Sequence, residues 1–152
     1  MPRTLANAAD LEALRQRILT LTPGDRPRWG SMTTGQMICH MTDALLYTLH
    51  QRPLEPHIPS TLPPGIYKWL ALYFPRKWPQ DVPTPPGLKQ GEGGTPPTEF
   101  AGDREALLQA LAAFAANQGN WAPHPLFAEM TTPKWRRWGW LHTDHHLRQF
   151  GR

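Results

Sequence analysis

Only one of the 152 residues is cysteine, so no disulfide can close within the chain, and a reducing, cytoplasmic setting is expected. Charge is also scarce, at 18% of residues against about 25% in ordinary globular domains. The balance is basic, with a net charge of +4 and a pI near 9.6, but Lys and Arg are scattered. Their densest groups, Arg136-Arg137 and Arg148 with Arg152, are broken by apolar and aromatic residues. That suits a solvated helix face and not a stripe that follows phosphates, so nucleic acid is not the expected partner. Long apolar runs are missing too. The most apolar stretch, 66–74, contains Lys68 and falls well short of the ~20 residues that a membrane crossing needs. The opening Met1-Pro-Arg-Thr leads into an amphipathic pattern and not a secretory apolar run, so neither a signal peptide nor a membrane span is expected.

What remains is a hydrophobic fraction of 39% and seven tryptophans, enough for a well-packed core in one domain covering 1–152. Prolines are plentiful, 18 in all, and twelve of them fall between Pro53 and Pro97. Residues 52–101 therefore read as a long irregular crossover, or lid, with a short helix over 65–74 carrying Tyr67, Trp69, Tyr73 and Phe74. Aromatic residues around Trp69, Tyr73 and Trp78 would close over a substrate.

Four longer amphipathic helices flank this crossover. The first spans 7–21, with Asn7 as N-cap, Leu11, Leu14, Ile18 and Leu21 as its apolar stripe, and Pro23-Gly24 as its stop. The second starts from a capping box, Thr33 with Gln36, and runs to about residue 50. A third is expected from Asp103 as N-cap to 117, and a fourth from Thr132 as N-cap, with Pro133 at the first position, to Phe150 and a C-cap Gly151. With no strand pattern, the fold class is all-α: a four-helix bundle with a Pro-rich crossover between the second and third core helices.

Histidine carries the chemistry. His40 shares the inner face of the second helix with Met37, Met41, Ala44, Leu45 and Thr48, where a titratable ring needs a partner. His142 and His146 lie one turn apart on the last helix, so both rings can close on one ion. Such a pair is also met as a solvent-facing coincidence or as satisfied core histidines. Its convergence with His40 favours three imidazole ligands, and without a second cysteine the site would be of the open kind, not the sealed structural kind. Nitrogen ligation suits one divalent transition metal, Zn, Ni, Co or Fe with zinc the first candidate, over Mg or Ca. Thr143 occupies the place where a zinc protease carries its glutamate base. Asp144 points away from the two ligands and is expected to pair with Arg148 or another helix. His145 borders the stripe, and Gln36, Asp144, Trp138 and Gln149 are further candidates to surround the pocket. His50 and His57 should be exposed, His124 should fix a turn, and Cys39 should be a buried, inert thiol.

Three segments together carry a resemblance: Arg28-Trp29-Gly30-Ser31-Met32-Thr33 with Gln36-Met37 and His40; His124-Pro125-Leu126-Phe127; and the stretch from His142 to Gly151. They resemble the DinB-like superfamily and, within it, the DUF1569 family of uncharacterised bacterial proteins. The resemblance implies a four-helix bundle, frequently a homodimer, holding a metal on positions that here are His40, His142 and His146. Better-known members of that superfamily include transferases and isomerases that use a low-molecular-weight thiol. Ala128 departs from the pattern, in which glycine follows the His-Pro-aromatic stretch. The expectation is a metal-dependent enzyme acting on a small molecule, a thiol-dependent transferase or a hydrolase. The alternative is a non-catalytic metal- or small-ligand-binding module.

Overall fold

The computed structural model of the chain describes residues 1–53, 63–74, 77–80, 82 and 84–152. Among these the fold is all-helical: α1 (Ala8–Leu19), α2 (Thr34–Thr48), α3 (Pro64–Tyr73), a 3-10 turn (Pro86–Leu88), α4 (Phe100–Ala116) and α5 (Thr132–Gln149). His57 and parts of the expected crossover lie outside the described residues. No described helix is long and apolar enough to cross a membrane.

Local chemistry explains most helix ends. The Asn7 side chain accepts from the Ala9 and Asp10 amides and starts α1. Thr33 and Gln36 form the reciprocal capping box of α2, which satisfies two amide groups that a bare helix start would leave unpaired. Gly151 takes a left-handed φ of 77°, and the Arg152 amide reaches back 2.9 Å to the Leu147 carbonyl. This closes α5 in a Schellman turn, a conformation that costs glycine least.

Two helix starts differ from expectation. The N-cap of α4 is Glu99, whose carboxylate accepts from Ala101 and Gly102, and not Asp103. Asp103 sits inside the first turn, where its carboxylate takes the amide and hydroxyl of Thr98 at 2.8 and 2.9 Å. It braces the start from within, and its sequence signature is that of a cap. The N-cap of α5 is Thr131 and not Thr132. The Thr132 hydroxyl is engaged elsewhere, accepting from the Trp121 indole at 3.0 Å and donating to the Gln118 carbonyl.

Packing follows the apolar stripes. α2 lies along α4 and against α5, α1 packs on α4 and α5, and α3 rests on α5. Leu14, Ile18, Met37, Met41, Leu45, Leu107, Leu111, Phe114 and Trp135 are fully buried between them. Each such side chain contributes about 1.5–3 kcal/mol by leaving water. Gly139 lets α5 approach the rest of the core: a Cβ there would stand 2.6 Å from Phe114 and 2.8 Å from Leu5. α5 also buries His142, Thr143, His145, His146 and Gln149, an unusual load of polar groups for an inner helix face.

Candidate metal centre

The polar stripe of α5 meets His40 of α2. One ring nitrogen from each of His40, His142 and His146 lies within 4.8 Å of the other two, and all three residues are buried. Ring centroids are 5.5 Å apart for His40 and His142, 4.8 Å for His40 and His146, and 4.7 Å for His142 and His146.

Hydrogen bonds set which nitrogens face the centre. Nδ1 of His40 lies 3.0 Å from the Leu88 carbonyl oxygen. A carbonyl only accepts, so Nδ1 carries the proton and Nε2 keeps its lone pair. His146 is fixed by a longer relay. The Gln149 amide nitrogen donates to the Trp29 carbonyl at 2.9 Å, which turns the Gln149 amide oxygen toward Nδ1 of His146, also at 2.9 Å. Nδ1 of His146 therefore donates, and its Nε2 is likewise left basic. Pinning one ring nitrogen by a hydrogen bond while the other stays free is how metal-binding histidines are ordinarily held. Nδ1 of His142 is buried and has no hydrogen-bond partner among the described residues.

The electrostatics agree. Burial pushes His142 and His146 well below the usual histidine range, and the neighbouring rings push further in the same direction. His40 is lowered mainly by burial, offset in part by its bond to Leu88 and the charge of Asp43. All three rings are neutral at pH 7, the form that donates a lone pair to a metal.

Aromatic rings wall the cluster. The Trp138 indole stacks on His142 with centroids 4.7 Å apart and planes 13° from parallel. Trp78 leans against both His142 and His145, at 6.3 and 5.9 Å, and the edge of Trp29 meets His145 at 5.7 Å. Trp69 and Tyr73 stand out from the fold, 56% and 49% exposed, so only Trp78 of the three expected lid aromatics reaches the histidines.

The other candidate residues separate clearly. Gln149 holds His146, Trp138 covers His142, and His145 packs beside His146 at 5.1 Å. Gln36 is occupied by the capping box, accepting the Thr33 amide at 2.9 Å. Asp144 is bound between Arg17 and Arg148, at 2.8 Å from each. Cys39 is buried, and burial, reinforced by Asp103 and Asp43, pushes its thiol up to about 11, so it holds its proton. His50 is exposed. Nδ1 of His124 accepts from the Leu126 and Phe127 amides, which pins the turn it was expected to fix. Sequence reasoning missed the Leu88 carbonyl, Asp43 and the relay through Trp29. Asp43 could have been found: it follows His40 by three positions, so it lies near the same helix face.

The family model described as a protein of unknown function, DUF1569, matches residues 3–152. No curated protein and no solved structure matches the chain. A match running from Arg3 to the last residue takes in all three histidines and the elements that hold them, and the chain belongs to the DUF1569 family.

Proposed function

We propose that the chain binds one divalent transition-metal ion through His40, His142 and His146, and that the ion serves a metal-dependent reaction on a small molecule. The observation that carries this reading is the convergence of three buried, neutral imidazoles, two of which have Nδ1 pinned so that Nε2 is free. Burying three such rings without a common partner is costly, and a shared ion offsets that cost. The all-nitrogen donor set fits Zn, Ni, Co or Fe, with zinc the first candidate. A metal so held lowers the pKa of a coordinated water or low-molecular-weight thiol, and this supports a hydrolase or a thiol-dependent transferase. Three protein ligands leave positions open for it. Trp78 and Trp138 exclude bulk water from one side of His142, which strengthens electrostatic interactions there. We read α1, α2, α4 and α5 as the four-helix bundle of the DinB-like superfamily, with 52–101 as its crossover, in one domain.

Elemental analysis of protein purified without a histidine tag or chelator is the direct test, with about one ion per chain expected. His142→Ala should lose most of it. Full retention by a His40→Ala, His142→Ala double variant would sink the proposal.

One observation favours a second reading, a non-catalytic metal-binding module: each of the three histidines is at most 9% exposed. Cobalt-substituted protein separates the two. Visible bands that shift when azide or a small thiol is added mark a position that a substrate can reach. Bands indifferent to both support the closed module.

A further inference from the structure

The bond from His40 to Leu88 crosses 48 residues of sequence, so the orientation of this histidine depends on whatever holds the turn at Pro86–Leu88 in place. That turn packs on α2, and one side chain grips it. Arg52, just beyond α2, donates from Nη2 to the carbonyls of Gly87 at 3.1 Å and Gly93 at 2.6 Å. Its Nη1 donates to the Thr95 hydroxyl at 2.7 Å and pairs with Asp43 at 3.0 Å.

Asp43 is only 2% exposed. Its carboxylate also takes the Thr95 amide and hydroxyl, both at 2.7 Å, so the buried charge is fully engaged. The backbone bends tightly around this grip. A Cβ on Gly93 would stand 2.8 Å from both the Gly87 Cα and the Pro86 carbonyl oxygen, a closeness that only glycine permits. Asp43 and His40 lie three residues apart on α2. One end of the loop is thus tied to Asp43 and the other to His40, with Arg52 spanning the two.

We infer that Arg52 and Asp43 are positioning residues for the metal centre, acting through the Leu88 carbonyl on the tautomer and direction of His40. The inference rests on the metal-binding reading above. A planar guanidinium is suited to the task, because one side chain reaches two carbonyls, a hydroxyl and a carboxylate at fixed angles. Linkage makes the coupling mutual: a loop that orients His40 for an ion is itself steadied when the ion binds.

The test is zinc affinity by chelator competition, in protein whose helicity is confirmed by circular dichroism. Arg52→Met should lower affinity by roughly 10- to 100-fold, the usual range for removing a support of a metal ligand. The same substitution in a His40→Ala background should lower it little further, because the route runs through His40. Arg17→Met, which breaks the partly exposed pair with Asp144, is the control for general loosening and should leave affinity near wild type. In wild-type protein, zinc should also slow hydrogen exchange at the Leu88, Gly93 and Gly94 amides, a measurement that needs no variant to fold. Wild-type affinity in Arg52→Met, an equal loss with and without His40, or unchanged loop exchange would each overturn the inference while leaving the metal reading intact. A wild-type protein that takes up no metal would overturn both.

Discussion

Ala128 adopts φ 53°, a left-handed conformation that places Cβ against the following carbonyl and costs a non-glycine residue roughly 1–2 kcal/mol. The turn requires it: the amides and carbonyls of His124 and Ala128 exchange hydrogen bonds, both at 2.9 Å. Glycine, which has no Cβ to clash there, would relieve the strain. Ala128→Gly should therefore stabilise the fold by about 0.5–1 kcal/mol net of glycine's greater chain entropy, seen as a higher urea midpoint. His124 in the same turn gives a second prediction. Burial first, then the charge of Lys68, pushes this ring down from 6.5 to about 3, and burial with Arg148 takes His145 to about 4. Both rings bind protons more readily in the unfolded chain, so their contribution is complete above pH 6.5 and is lost as pH falls toward 4 and 3. The urea midpoint of metal-free protein should hold steady from pH 8 to 7 and then fall through pH 4. A midpoint that stays level to pH 4 would contradict this.

Among the elements, α5 bears the most conflicting demands. It packs closely enough on α4 and the N-terminal segment that Gly139 has no space for a methyl group, with Phe114 and Leu5 both under 3 Å from the position of a Cβ. Gly139→Ala should cost about 1–3 kcal/mol through overpacking, despite alanine's better helix propensity, and thermal unfolding would register it. The helices themselves were largely legible in the sequence, because Asn7, Thr33 with Gln36, and Gly151 act within a few residues of their own position. The start of α4 is ambiguous for the same reason: Asp103 and Glu99 both bind nearby amides, and local chemistry does not say which of them stands outside the helix. The inner faces carrying His40, His142 and His146 were legible from spacing alone. The loop that orients His40 was not, since its bonds join Arg52 to residues 35, 41 and 43 positions away, a distance over which periodicity carries no information.

For the molecule as a whole, the three histidines come from α2 and α5, on either side of residues 52–101 in the sequence, so they meet only once both helices have packed. An ion that binds the folded chain and not the unfolded one must stabilise it, by about 2.7 kcal/mol when free ion stands at 100 times its dissociation constant. Thermal unfolding of dialysed protein with and without added zinc should show that rise, and His146→Ala should abolish it. A melting temperature unaffected by zinc, nickel, cobalt and iron(II) would count against any site.

The indole on His142 has one more consequence. Trp121 stacks on Trp135 at 5.7 Å, Trp135 meets Trp138 at 5.3 Å, and Trp138 lies face to face with His142 at 4.7 Å. Excitation energy passes readily between indoles this close, so light absorbed at Trp121 can be lost to a paramagnetic ion that never comes near it. If an ion binds as proposed, these indoles report its occupancy, and the fall in native fluorescence on adding cobalt should exceed what quenching of Trp78 and Trp138, the two that touch His142, allows.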